Sequence, residues 1–371
     1  MTAAVPPAAP DKRVLFLSLP GIDRVPGYRI ESFDPMPYFR GAPRWSPYEL
    51  IAGGLNAYDK RRALMQGALG VDRLYRERDP AYMKMAGDFV DRFRDADLIF
   101  VLNYTFIHPE IWARELPRPI KILGFSDDPY STYVRGLPYL WAFDGAFYIS
   151  PSYLDEMRFD AAFGRWHARS TWWPLVPARS ERPPSPGAAF FAERDIDLCY
   201  VGNPHPQKVD RLLRLKRHFG ERIRIHGRWR FRGWIGYLRA LTGKPVYPHR
   251  VTSLTTAERT ALYWRSKIAF NMHVSEPRCE TGNARMYEAP AHGMMQVCDK
   301  AGADAHASIF APGAEAVYYD TLDDAIERIE HYLKHDDERI AIARRGFERY
   351  WSDYEFDTNL LRLLKWAQTL R

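Results

Sequence analysis

Two series of short apolar runs, each broken by helical or loop segments, constrain this chain more than any other feature. The first reads RVLFLSL (13–19), DLIFVLN (97–103), IKILGF (120–125), GAFYIS (145–150) and STWWPLV (170–176). The second reads IDLCYVG (196–202), RIRIHG (222–227), KIAFNM (267–272), MMQVCD (294–299) and EAVYYD (315–320). Apolar runs at this spacing suit the strands of a parallel sheet covered by helices on both faces. Between the series, residues 177–188 (PARSERPPSPGA) carry four prolines and little apolar content, which is linker composition. A length of 371 residues fits two such domains better than one core. The pattern predicts an α/β chain of two doubly wound, Rossmann-like domains with a cleft between them.

Helical patterns run from about Ser46 to Arg76, from Pro80 to Arg94, from Asp336 onward and from Phe356 to Leu370. Thr321 and Asp324 have the spacing of a capping box ahead of DDAIERIEHYLKH. Open parallel sheets bind ligands beyond the carboxyl ends of their strands, so function is sought in the loops that follow them.

Charge and cysteines narrow the class. Lys and Arg number 53 against 46 Asp and Glu, a net +7 that favours anionic ligands. Cys199, Cys279 and Cys298 show no CxxC spacing, which fits a reducing compartment. The opening MTAAVPPAAPDKR has no apolar core of a signal peptide, and no apolar run reaches the length of a membrane span. The expected location is the cytoplasm. The basic, aromatic stretch RIRIHGRWRFRGWIGYLRALTGK (222–244) leaves open a peripheral contact at the inner membrane face, a nucleic-acid contact, or plain local structure. Of these, nucleic acid is the least favoured.

The richest segment is KIAFNMHVSEPRCETGNARMYEAPAHGMMQVCD. A strand ends near Met272, a helix begins near Thr281–Asn283, and Gly293 stands after it at the C′ position. A helix start behind a glycine is a ready anion site, through free N–H groups and the positive dipole end. Arg278 and Arg285 flank it. Glu280 and Glu288 lie before and inside the helix, where two carboxylates could accept hydrogen bonds from hydroxyls on either side of a bound diphosphate.

Glu280-TGNARMY-Glu288-APAHG resembles the Glu-x7-Glu signature of retaining glycosyltransferases with two Rossmann-like domains, the GT-B fold. More closely it is similar to the spore-maturation CgeB-type branch, with Asn283, Arg285 and Glu288 forming its Asn-x-Arg-x-x-Glu core. DLCYVGNPHPQKVDRLL, GFSDDPY and DGAFYISPS extend the resemblance across both halves. The local sequence departs from the usual Glu-Gly-Phe-Gly loop, having Glu280-Thr-Gly-Asn instead.

The resemblance implies a sugar transferred from a nucleotide-sugar donor, by default a UDP-sugar, with retention and with neither a metal nor another cofactor. Glu288 would bind the ribose hydroxyls and Glu280 the hydroxyls of the transferred sugar. Gly202, Asn203, Thr281, Gly282, Asn283 and Arg285 would hold the donor, its diphosphate lying on the backbone around Thr281–Asn283. Lys208 or Arg211 would stabilise the departing nucleoside diphosphate, because negative charge grows there in the transition state. Asp127 and Asp128, where relatives often have a sugar-contacting histidine, would serve as acceptor base, sugar ligand or a simple turn. The acceptor stays open among glycan, metabolite, protein and lipid-linked carrier. A catalytically idle nucleotide-sugar or glycan binder, and an epimerase or hydrolase of the same fold, remain as alternatives.

The expected organisation is a tail (1–12), a first domain (13–178), the linker (179–188), a donor-side domain (189–350) and a terminal segment (351–371) returning to the first domain. Asp195-Ile-Asp197 has the letters of a metal-binding DxD triplet but precedes its strand, so it reads as a turn leading into the sheet. His331 and His335, one helical turn apart, lack an evident third metal ligand. No Walker A or GxGxxG pattern occurs.

Overall fold

The computed structural model describes residues 11–17, 22–39, 71–102, 106–125, 136–149, 164–174, 179–183, 186–202, 206–227, 251–273, 283–299 and 309–370. The chain divides into two units, Met1–Trp173 with Leu360–Arg371 and Pro174–Asn359. Each of the apolar runs identified above forms a strand.

The first unit is a seven-stranded sheet in the order β2-β3-β1-β4-β5-β6-β7. Its strands are β1 (Lys12–Leu17), β2 (Arg24–Val25), β3 (Tyr28–Glu31), β4 (Leu98–Leu102), β5 (Ile120–Phe125), β6 (Gly145–Tyr148) and β7 (Ser170–Trp172). All neighbours pair in parallel except β2 with β3. That hairpin lies in a stretch whose charges hide it in the sequence. It forms because Gly27 takes φ +81° at the turn and because Tyr28 and Ile30 turn inward while Arg29 faces water. Helix α1 (Pro80–Phe93) starts with the Asp79 carboxylate accepting from Tyr82 N–H, and it buries Tyr82, Met85, Phe89 and Phe93. Helix α2 (Pro109–Arg114) is capped by His108, whose Nδ1 accepts from Glu110 N–H. Aromatic rings fill the core: Phe16 stacks on Phe100 at 5.1 Å, and Phe89 meets Trp112 edge-on at 5.2 Å.

The second unit is a five-stranded, wholly parallel sheet in the order β12-β11-β10-β8-β9. It comprises β8 (Ile196–Val201), β9 (Ile223–His226), β10 (Ser266–Asn271), β11 (Met295–Asp299) and β12 (Val317–Tyr319). Its longer helices include α3 (Pro206–Phe219), α4 (Thr256–Arg265), α5 (Ala284–Ala291), α6 (Leu322–Lys334) and α7 (Asp336–Arg349). Thr321 caps α6 by accepting from Asp324 N–H, but the Asp324 carboxylate reaches back to Asp320 N–H, so the expected reciprocal box is not closed. A complete box stands instead at α4, between Thr255 and Glu258.

The amino end of this sheet is tied by Arg194. Its buried guanidinium donates to the carbonyls of Phe190, Tyr263, Ser266 and His292. Burial and nearby Arg339 lower its pKa to about 9, so it remains charged at neutral pH. Gly293 follows α5 at φ +71°, and a Cβ there would press on Phe190 and on this guanidinium.

The last helix, α8 (Phe356–Gln368), contains the second division between the units, at Asn359/Leu360. Residues before the division stay with the second unit because Tyr354 packs on Tyr287 and Phe310. Beyond it, Gln368 donates to Tyr28 and Arg169 donates to the Leu370 carbonyl. Among the described residues, no helix is long and apolar enough to cross a membrane.

Candidate functional site

The strand order of the second unit sets the place of a ligand site. From β8 the chain passes through α3 to β9 on one side, whereas from β10 it passes through α5 to β11 on the other. The topological switch point therefore lies between the carboxyl ends of β8 and β10.

Arg285, in the first turn of α5, spans that point. Its Nε donates to Asn271 Oδ1 at 3.0 Å, Nη1 to the Val201 carbonyl at 3.1 Å and Nη2 to the Met272 carbonyl at 3.3 Å. The guanidinium also lies over the Tyr200 ring, 5.0 Å from its centroid. Gly202 leaves room for this arrangement: a Cβ there would overlap Arg285 Nη1 and crowd the Tyr200 hydroxyl, so the guanidinium would have to move. Sequence reasoning placed both residues against the donor, and the structure gives them a prior task, clamping two strand ends together.

Asn283 is the N-cap of α5, with extended backbone (φ −117°, ψ 167°), yet its side chain does not cap the helix. Its amide donates instead to Asn271 Oδ1 at 2.9 Å. Buried Asn271 Nδ2 and Asn283 Oδ1 have no partner among the described residues. Tyr319 donates to the Asn271 carbonyl at 3.1 Å, which fixes the strand end further.

Glu288 lies one turn into α5 and is buried. Its Oε2 accepts from the Tyr263 hydroxyl at 3.1 Å, and its Oε1 is 3.4 Å from Arg259 Nη1. Beside it, His292 Nδ1 hydrogen-bonds the Glu288 carbonyl at 2.7 Å.

A third group occupies the ends of β10 and β11. Asp299 accepts from His273 through both the backbone N–H (2.9 Å, to Oδ2) and Nδ1 (2.6 Å, to Oδ1), and Arg211 Nη1 stands 3.8 Å from Oδ2. Cys298 Sγ lies 3.6 Å from Asp299 Oδ1, and burial with the neighbouring carboxylate pushes its pKa well above the ordinary thiol value. His273, Cys298 and Asp299 place one donor atom each within 4.8 Å of one another, the one such trio among the described residues. Three donors are one fewer than a closed tetrahedral zinc site uses.

Of the other residues singled out, Lys208 is buried on α3, where a solvated helix face was the competing expectation. Arg211, one turn later, is half exposed and reaches Asp299. Asp127, Asp128, Asn203, Glu280, Thr281 and Gly282 lie outside the described residues, as does most of the basic stretch 222–244. Asp197 sits at the amino end of β8 and pairs with Arg222 and Lys267, and Asp195 pairs with Arg265. His331 and His335 stack on each other at 4.1 Å, and His331 reaches Glu338.

Asn271, His273, Asp299, Tyr263 and Arg259 were missed by sequence reasoning. A usable signal existed for the first three: polar residues at the carboxyl ends of otherwise apolar runs, KIAFNMH and MMQVCD.

In the first unit, His108 follows β4 in the chain. Tyr75 stacks on its ring at 3.9 Å and Asp72 lies 3.4 Å from Nε2. With Nδ1 accepting from Glu110, both ring nitrogens are engaged within the unit.

Residues 208–365 match the family described as glycosyl transferase-like. No curated protein matches the chain. Among solved structures, it is similar to sucrose-phosphate synthase from Thermosynechococcus elongatus, with 12% identity over 97% of this chain and 99% of that one, TM-score 0.60. It is also similar to an alpha-glucosyltransferase in complex with UDP and a 13-mer DNA containing an HMU base, with 10% identity over 76% and 83%, TM-score 0.55. A third is HepE from Anabaena in complex with UDP, with 10% identity over 77% and 82%, TM-score 0.54. These likenesses show the GT-B fold.

Proposed function

We propose that this chain, a glycosyltransferase of the GT-B fold, takes its sugar from a UDP-sugar and transfers it with retention and without a metal. The observation that carries the reading is the switch point of the second sheet. There an uncapped N-cap residue, Asn283, opens a helix whose next turn presents the Glu288 carboxylate. A helix start offers N–H groups and dipole to a diphosphate, and a carboxylate one turn on suits the ribose attached to it. Two of the similar structures hold UDP, which puts UDP-sugars first among donors.

In this reading the bond from the anomeric carbon to the diphosphate oxygen breaks, and negative charge gathers on that oxygen. Arg211, held by Asp299, and Lys208 on the same helix supply cations to the leaving group, assisted by the start of α5. Glu280 positions the transferred sugar through its hydroxyls, and Asp127 or Asp128 serves the acceptor.

The test is donor consumption across UDP-, GDP- and dTDP-sugars, with and without EDTA, for wild type, Glu280→Ala and Glu288→Gln. A UDP-sugar should be consumed with its nucleotide released. Each variant should fall at least about tenfold, the worth of one lost charged hydrogen bond, and EDTA should change nothing. Both variants matching wild type in binding and turnover would remove the site. An altered sugar still joined to nucleotide would make the enzyme an epimerase.

A further inference from the structure

Glu288 is not left to find its own orientation. Two side chains of α4, Arg259 and Tyr263, stand one helical turn apart and each takes one carboxylate oxygen: Arg259 Nη1 at 3.4 Å from Oε1, and Tyr263 Oη at 3.1 Å from Oε2. The Thr255–Glu258 box fixes where α4 begins and so fixes the register of both. The Tyr263 ring is buried and meets the His292 ring edge-on at 5.1 Å. His292 in turn hydrogen-bonds the Glu288 carbonyl, so the tyrosine, the histidine and the glutamate backbone form one rigid wedge between α4 and α5. Burial and the glutamate's charge hold the Tyr263 hydroxyl far above its ordinary pKa. Its single proton is therefore always present and directed at Oε2.

A carboxylate has about four acceptor directions, two on each oxygen. Tyr263 uses one direction on Oε2 and Arg259 pairs by charge with Oε1, so acceptor directions remain on both oxygens. Such a pair matches two hydroxyls on adjacent carbons, and a ribose offers them at its 2′ and 3′ positions. A single hydroxyl uses only half of it.

We propose that Tyr263 and Arg259 are positioning residues for nucleotide recognition. They aim the Glu288 carboxylate at a vicinal diol and so set a preference for ribonucleoside over 2′-deoxyribonucleoside diphosphates. The inference rests on the reading of Glu288 as the ribose ligand, and it adds what makes that glutamate selective.

The experiment is calorimetric binding of UDP and 2′-deoxy-UDP to the full chain, for wild type, Tyr263→Phe, Arg259→Ala, Arg259→Lys and Glu288→Gln. Wild type should favour UDP by about tenfold or more, the worth of one well-placed hydrogen bond to a charged acceptor. Tyr263→Phe keeps the ring and its packing, and should cut that ratio to about threefold or less while leaving 2′-deoxy-UDP binding nearly unchanged. Arg259→Ala should act the same way, and Arg259→Lys should restore part of the ratio. A purely structural role would weaken both nucleotides equally and leave the ratio intact, which would overturn the proposal. Should wild type itself fail to discriminate, or Glu288→Gln keep the full ratio, the ribose reading falls and takes this inference with it.

Discussion

The sheet of the first unit is packed by rings, with Phe16, Phe100, Phe147 and Trp173 meeting on one face. Lys121 is its one buried charged or polar residue among those described. The second unit is built differently. It buries Arg194, Lys208, Ser266, Asn271, His273, Glu288, His292, Gln296, Asp299 and Arg339. Burying polar groups costs free energy unless each finds a partner, so a domain that does it repeatedly spends stability on something other than packing. The placement shows on what. Arg194 and Ser266 sit at the amino edge of the second sheet and serve as staples. Asn271, His273 and Asp299 sit at the carboxyl edge, where the strand order reverses and where open parallel sheets bind ligands. One unit is a ring-packed platform; the other holds a prepared polar surface.

The sharpest way to break this contrast is to remove one buried cation from each unit. Arg194→Met strands carbonyls of Tyr263, Ser266 and His292 and should destabilise the second unit by about 3 kcal/mol or more. Lys121→Met loses the bond to the Leu116 carbonyl and a looser ion pair at 3.7 Å with the more exposed Asp144, and should cost the first unit about 1–2 kcal/mol. Amide hydrogen exchange read by mass spectrometry assigns each loss to its unit, which a single melting curve cannot do. Equal losses would erase the distinction.

At the other edge, if the proposed leaving-group role holds, Arg211→Met should lower kcat by about 100-fold and raise the donor's KM by much less, because the diphosphate gains a further negative charge as it departs. A rise in KM at constant kcat would instead make Arg211 a ground-state ligand.

A smaller effect concerns pH. Burial holds the His292 pKa below its ordinary 6.5 against the opposing pull of the Glu288 carbonyl and charge, with Arg259 and Arg194 adding to the downward shift. As pH falls through 6.5 the unfolded chain takes up a proton that the folded unit resists, so stability is full above that value and is lost below it. His108 in the first unit is likewise lowered by burial against the opposing charges of Asp72 and Glu110, so the first unit should also lose stability as pH falls through this range. Denaturant titrations between pH 7 and 5, followed by hydrogen exchange, read both slopes. His292→Gln should flatten the second.

The sequence carried the strands because burial on both faces leaves an apolar run that alternation does not disguise. It hid the β2–β3 hairpin, whose four-residue strand Tyr28–Glu31 alternates with charge. For the site, helix start, glutamate and glycines were legible as a local pattern. The clamp made by Arg285 was not, because it joins Val201 to Met272, neighbours only once β8 and β10 pair. The same holds for His273 with Asp299, brought together by the parallel register of β10 on β11. Tyr263 and Arg259 lie 25 or more residues from Glu288, and only the packing of α4 on α5 reveals them.

The proposed nucleotide site is the carboxyl edge of the second sheet. A crystal structure of the chain with UDP tests it most directly. The diphosphate should lie at the start of α5, above the ends of β8 and β10, with both ribose hydroxyls on Glu288. UDP seated on the first unit's sheet, or bound with its ribose turned away from Glu288, would contradict it.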